Sequence, residues 1–198
     1  MLVRHQVQEK SSVYLEAIVQ ECYPNGFWGS VSDSDPNTKP IPPITWQTWL
    51  EGWAETLKDD LPPAAAYEVT LRLTGDAEIQ ALNAQYRHCH QPTDVLAFAA
   101  LEWDSPRLEL GELPLSLGDI VVSVETAQRQ AQGEGHPLTT ELTWLVAHGF
   151  LHLLGWDHPD AVALKRMLQK QALLLDQTGL PERERTSLDL PAFLGPYV

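Results

Sequence analysis

Basic side chains are scarce in this sequence: 13 Lys and Arg stand against 27 Asp and Glu, a formal net charge of −14. A surface that coats itself with nucleic acid needs clustered Lys and Arg, so any contact with a polyphosphate has to be local. Cysteine is nearly absent, with only Cys22 and Cys89. A chain of this size with no export signal does not need a disulfide, and two free thiols are expected. The N-terminus, MLVRHQVQEKSS, has neither the apolar stretch nor the small-residue cleavage site of a secretory signal. The longest apolar-leaning run, 142–156, is interrupted by two histidines and falls short of the roughly 20 residues a spanning helix needs. A cytoplasmic protein without a membrane span is the expectation.

What the chain does have is enough apolar material, 43% of 198 residues, for one sizeable core and one domain, 1–198. VYLEAIVQ, 13–20, alternates like a strand, and 22–44 follows with Pro, Gly, Asn, Asp and Ser throughout, which predicts a mobile surface insertion. Thr45 can cap a helix in which Trp46, Trp49, Leu50, Trp53 and Leu57 recur at helical spacing until Pro62-Pro63 stops it. YEVTLRLTG, 67–75, reads as a strand, and Asp76 as the N-cap of a helix through Ile79, Leu82 and Tyr86. Two further strands are expected over 94–99 and in GDIVVSVE from Gly118, the latter passing into a polar helical segment, TAQRQAQ. Thr139 or Thr140 can cap a helix with Leu142, Leu145, Val146, Phe150 and Leu153 on one face. A last helix spans about 160–177, and the tail 180–198 is read as peripheral around a core of about 45–178. This order predicts an α+β fold, a small mixed sheet of about four strands packed with about five helices.

The stretch HGFLHLLGWDHPD, 148–160, carries three histidines as H-x3-H-x5-H. On a helix, residues four apart differ by about 40° of rotation and about 6 Å of rise, so His148 and His152 can reach one ion. Gly155 permits the left-handed turn that brings His158 back to it. A lone His on an apolar helix usually makes an ordinary hydrogen bond, but three at this spacing around a glycine point to a metal. Neutral imidazoles suit zinc, though also nickel, copper or iron, and three protein ligands leave one position open for chemistry. The pattern is similar to the H-E-x-x-H-x-x-G-x-x-H helix of metzincin proteases, except that Gly149 stands where their general-base glutamate would be. That difference counts against a peptidase. Asp157 either orients an imidazole or caps the turn. His88 and His90, on either side of Cys89, are read as surface residues, and Asp94 and Asp119 as turn caps at strand starts.

Taken together these residues resemble the YbeY family of metal-dependent bacterial endoribonucleases, whose signature H-G-x-L-H-L-x-G-x-D-H is matched without departure from His148 to His158. A second family block, Asn and Arg on a helix followed by T-D-V-L-S-F-P, is similar to Asn83, Arg87 and 93–99, with Ala97 and Ala99 replacing the usual Ser and Pro. A third, G-D-I, is similar to Gly118-Asp119-Ile120. The resemblance covers about 45–178. It implies that His148, His152 and His158 hold one divalent ion, with zinc the first expectation. It also implies that Arg87, otherwise an ordinary helix-surface arginine, belongs to the active site, and that Asp94 and Asp119 face the cleft.

The activity so implied is single-strand-specific endoribonuclease cleavage in small-subunit (16S) rRNA maturation and ribosome quality control. The implied partners are ribosomal RNA and a ribosomal or ribosome-associated protein, with no DNA and no membrane. The rival readings are another metal-dependent hydrolase of peptidase type and a non-catalytic, metal-stabilised ribosome assembly factor. The charge of −14 adds the expectation that a protein on the ribosome delivers the enzyme to its substrate.

Overall fold

The computed structural model describes residues 13–23, 27, 39–100 and 113–180. Its elements are β1 (Leu15–Glu21), α1 (Pro43–Thr56), β2 (Tyr67–Thr74), α2 (Asp76–Arg87), β3 (Val95–Ala99), β4 (Leu115–Ser123), α3 (Val124–Glu134), α4 (Leu138–Leu153) and α5 (Ala161–Leu175), closed by a short 3-10 turn over Asp176–Thr178. The sheet order is β1-β2-β4-β3, with β1, β2 and β4 parallel and β3 antiparallel at one edge. Parallel neighbours need a crossover, supplied by α1 between β1 and β2 and by α2 with β3 between β2 and β4. The result is the expected single-domain α+β fold with a four-stranded mixed sheet and five α-helices.

Alternation along the strands separates two cores. Val95, Ile120 and Val122 join Val69, Leu71 and Leu73 in a large core that also takes Trp46, Leu50 and Trp53 of α1 and Leu142, Val146 and Phe150 of α4. The intervening Leu96 and Val121 meet Ile79 of α2 in a small second core on the opposite face. Trp53 also donates its indole N–H to the Leu174 carbonyl at 2.8 Å, tying α1 to α5. The tryptophans that recur at helical spacing in α1 therefore serve the core, Trp46 and Trp53 within it and Trp49 from its half-buried margin.

Helix starts are where the structure departs from the sequence reading. Helix α1 begins at Pro43 with Pro42 as N-cap, two residues before Thr45, because a proline at the first helical position gives up an N–H that has no partner there anyway. It ends at Thr56, well before the proline pair. The N-cap of α2 is Gly75. Asp76 instead accepts from the hydroxyls of Ser123 (2.6 Å) and Thr126 (2.7 Å) and pairs with Arg129 at 2.8 Å, joining α2 to α3. Burial alone would raise the Asp76 pKa, but the bonds from Arg129, Ser123 and Thr126 outweigh it and hold the carboxyl below its ordinary value. Helix α4 starts at Leu138 behind Pro137, so Thr139 and Thr140 lie inside its first turn. Side-chain capping occurs at Ser123 for α3 and at Asp160 for α5.

Strand β4 starts at Leu115, three residues before Gly118, and bulges: Glu68 pairs with Ser116 but Val69 pairs with Gly118, leaving Leu117 as the extra residue. Gly118 sits at φ +125°, where a Cβ would stand 2.0 Å from the Phe98 carbonyl oxygen. Asp119 is consequently the fifth residue of the strand and not a cap at its start. Most of 22–44 and the tail after 180 lie outside the described residues, although Phe27 and Ile41 are buried in the large core. Cys22 and Cys89 are exposed free thiols, and no described helix is long and apolar enough to cross a membrane.

Gly149 is where α4 meets the sheet. A Cβ there would stand 2.8 Å from Ile120 Cγ2 and 3.4 Å from Val95 Cγ2. Gly149→Ala is expected to lose about 1–3 kcal/mol through overpacking. Gly118→Ala loses more, since the clash is with backbone and the φ is one that a side chain resists. Urea titrations of both variants check the ranking; equal midpoints, or the reverse order, would refute it.

Candidate metal centre

Helix α4 is buried from Leu138 to Leu151, polar residues included, because sheet, α3 and α5 all pack on it. His148, near its C-terminal end, is 1% exposed, whereas His152, one turn on, is half-buried. The helix then stops at a turn in which Gly155 N–H donates to the His152 carbonyl (3.0 Å) and Trp156 N–H to the Leu151 carbonyl (3.1 Å). Gly155 takes φ +81° to close it. Asp157 Oδ1 then accepts from the His158 backbone N–H at 2.7 Å. Asp157 thus caps the turn just before His158.

The three imidazoles converge. Ring centroids lie 4.7 Å apart for His148 and His152, 5.3 Å for His152 and His158, and 5.5 Å for His148 and His158. One ligand nitrogen from each lies within 4.8 Å of the others, and the Nε2 atoms of His148 and His152 are 3.2 Å apart. Two nitrogens at about 2.0–2.1 Å on a tetrahedral ion are separated by about 3.3–3.4 Å, so this spacing fits a first-row metal. Histidine nitrogens are also the donor type such ions accept. The residues present therefore fit the ion that the motif implies.

Electrostatics disfavour a proton on His152. His152 is pushed down from an ordinary 6.5 to about 4, first by burial and then by His158 and Arg87, while Asp157 and a hydrogen bond to the Trp156 backbone act the other way. The charge of Arg87, the last residue of α2, is therefore felt at His152. Behind Arg87 the chain turns at His88, φ +56°, and is tied back to α2: the Asn83 side chain, 4% exposed, donates to the Gln91 carbonyl (2.7 Å) and Gln80 to that of His90 (2.8 Å). Asn83 of the second sequence block is thus an anchor for the loop that follows Arg87.

Other candidates fall outside the cluster. His88 and His90 are exposed and belong to no metal-competent group among the described residues. Asp94 is buried; its Oδ1 accepts from Val95 N–H (2.8 Å) and the Thr93 hydroxyl (3.1 Å), and its Oδ2 from Gln130 (3.0 Å), which makes it a strand cap. Asp119 is exposed and, by alternation, on the face of the sheet opposite Ile120 and α4.

A second group, Glu134, His136 and Glu141, went unnoticed in the sequence. There His136 Nε2 lies 2.5 Å from Glu141 Oε2 while Glu134 approaches the other ring nitrogen at 4.0 Å. That is a hydrogen-bonded pair at the start of α4, too close for two ligands of one ion. Also missed were Trp144, whose ring stacks on His148 at 5.2 Å and 7°, and Gln171 of α5, whose side chain reaches the same imidazole. Helical spacing could have suggested Trp144; nothing local signals Gln171.

The depressed His152 makes a pH prediction for metal-free protein. Below pH 6.5 the unfolded chain takes up a proton that the folded site refuses until about pH 4, so stability present above 6.5 is lost progressively across that window. The loss reaches about 3 kcal/mol at most. Chemical denaturation of chelator-treated protein at pH 7 and pH 4.5 measures it, with His152→Gln expected to flatten the dependence. An unchanged slope in that variant would show that another group is responsible.

Comparison with known proteins agrees with the geometry. A family model described as Endoribonuclease YbeY matches residues 32–179. A protein of that name from Nostoc sp. is 54% identical over 169 residues, 85% of this chain and 92% of its own. Another from Trichormus variabilis is 53% identical over 169 residues, 85% of this chain and 96% of its own. A third, from Picosynechococcus sp., is 64% identical over 137 residues, 68% of this chain and 83% of its own. With the family model spanning β2, β3, β4, α2 and the whole histidine helix, the chain belongs to the YbeY family of endoribonucleases.

Proposed function

We propose that this protein is a zinc-dependent, single-strand-specific endoribonuclease of 16S rRNA maturation and ribosome quality control, acting in the cytoplasm. In this reading 45–178 form its catalytic core, His148, His152 and His158 are the metal ligands and Arg87 is the catalytic side chain. The convergence of three imidazoles, two of them with Nε2 atoms 3.2 Å apart, carries the reading. A divalent ion held there supplies Lewis acidity and lowers the pKa of an attacking water. The chain's own residues do the rest. Cleavage of a phosphodiester builds negative charge on the non-bridging oxygens, and a guanidinium can hold two of them in its planar fork. What supports Arg87 in this role is that its charge acts on His152 from the end of a neighbouring helix. A peptidase is disfavoured on packing grounds as well as by motif: the residue after His148 faces Ile120 and Val95, with no room for a glutamate.

Cleavage of a single-stranded rRNA fragment by protein of known metal content tests the assignment. Wild type is expected to cut. His152→Ala loses metal and activity together. Arg87→Glu keeps the metal and loses at least about 10²–10³ in rate, the scale of removing one transition-state donor. Full metal content with no cleavage by wild type would favour the assembly-factor role.

Substrate delivery follows from charge. At −14 the protein has little long-range attraction for RNA, so a ribosomal or ribosome-associated protein is expected to bring it to the rRNA. Purified alone, it should bind rRNA weakly and with a shallow salt dependence in filter-binding assays, since few phosphates are neutralised. Tight binding with a steep salt slope and no partner present would remove the need for one.

A further inference from the structure

The imidazole of His148 has two nitrogens, and only one faces the other histidines. Its Nε2 is the atom 3.2 Å from His152 Nε2, while its Nδ1 points back into the protein, 3.3 Å from Gln171 Oε1. Gln171 lies on α5, 23 residues downstream, and is 1% exposed. The other end of its amide, Nε2, donates to the Trp144 backbone carbonyl at 2.9 Å. A carbonyl can only accept, so the NH₂ end of the amide must face Trp144 and the oxygen must face His148. That oxygen also can only accept, so Nδ1 of His148 must carry the proton. Nε2 is left with a bare lone pair turned toward the cluster.

We infer that Gln171 is a positioning residue of the metal centre, holding His148 in the tautomer with its proton on Nδ1 and its Nε2 lone pair directed at the ion. The inference rests on the proposal that His148 is a metal ligand. Trp144 serves the arrangement twice. Its carbonyl orients the Gln171 amide, and its ring stacks on the imidazole at 5.2 Å and 7°, which restricts rotation of the ring plane. With this support the metal meets a lone pair that needs neither a tautomer change nor a ring flip. Outer partners of this kind are worth about 10–100-fold in metal affinity.

A purely architectural role, tying α5 to α4 through the Trp144 carbonyl, makes a different prediction, and two variants separate the two. Gln171→Met keeps the volume but removes both hydrogen bonds. Gln171→Glu keeps an acceptor for Nδ1 and loses the NH₂ donor to Trp144. Zinc affinity of each purified protein is measured by competition with a chromophoric chelator. Histidine tautomers are read by 15N NMR of the metal-free protein at pH 8, where an ordinary imidazole is neutral. In wild type, His148 is expected to show a protonated Nδ1 and a bare Nε2. Gln171→Met should bind zinc about 10–100-fold more weakly and show mixed tautomers, and Gln171→Glu should stay nearer to wild type in both.

The inference is overturned if wild-type His148 carries its proton on Nε2. It is also overturned if Gln171→Met binds zinc like wild type, or if Gln171→Glu falls as far as Gln171→Met. If wild type takes up no zinc, the metal reading of the histidines fails, while the NMR result still decides whether Gln171 sets the tautomer. The wild-type spectrum needs no variant, so the test survives misfolding of either substitution.

Discussion

Helix α4 is packed on every side, and the site depends on how it is seated. Its contact with the sheet at Gly149 brings backbone to within side-chain distance of Ile120 and Val95, which fixes both the depth of the helix and its rotation about its own axis. Once Gly149 faces the sheet, its neighbour His148 is committed to another direction, toward α5, and His152 follows one turn later beside it. Seating the helix deeply also supplies the burial that disfavours a charged imidazole. One glycine contact therefore sets the geometry of two ligand candidates and the protonation state of one of them.

The same constraint explains why a helix so rich in polar groups is tolerated in a core. Glu141 is 1% exposed and bonded to His136, and the Thr143 hydroxyl donates to the Thr139 carbonyl at 2.7 Å. These two buried polar side chains are matched to neighbours, whereas the buried Thr140 hydroxyl has no hydrogen-bond partner among the described residues; a group left unmatched costs about 1–3 kcal/mol. The first half of α4 thus matches Glu141 and Thr143 internally, and its second half carries the candidate ligands His148 and His152. Proline at the N-cap starts the helix without requiring a hydroxyl, which frees Thr139 and Thr140 from the capping role that their position suggests.

Legibility in the sequence follows the range of the interactions involved. Helical and strand periodicity in Trp46 to Leu57, Tyr67 to Thr74 and Leu142 to Leu153 is local, and those elements were readable to within a few residues. The three histidines were readable because H-x3-H on a helix and a glycine-closed turn are also local. Strand order β1-β2-β4-β3 was not, because nothing in β3 states that it will leave the parallel set and pair antiparallel at the edge. The caps misled for a related reason: Asp76 has a good capping side chain, but Ser123, Thr126 and Arg129, some 50 positions away, compete for it and win. The bulge at Gly118 moved Asp119 from a strand start to mid-strand through a pairing with Glu68 and Val69 that no window of sequence contains. Gln171 is the extreme case, a glutamine on an amphipathic helix whose importance exists only through Trp144 and His148.

Charge balance ties the site to its proposed chemistry. Burial, His158 and Arg87 all oppose a proton on His152, and Arg87 would equally oppose a dication at the same place. A metal held by His148, His152 and His158 would offset that repulsion through its bonds to the nitrogens, but the guanidinium would still raise the energy of the loaded site. An arrangement of that kind is unfavourable for a site whose task is only to hold a metal and stabilise the fold. It becomes favourable when an anion enters between the ion and the guanidinium and is attracted to both. In a protein of net charge −14, such a local pair of cations, on the proposed roles, would attract a phosphodiester, and the attraction would strengthen as negative charge builds on its oxygens in the transition state. On the proposed roles of Arg87 and the histidines, the cost imposed by Arg87 on the substrate-free site would be recovered when the scissile phosphate binds, which would let a strongly acidic protein act on RNA without coating itself in it.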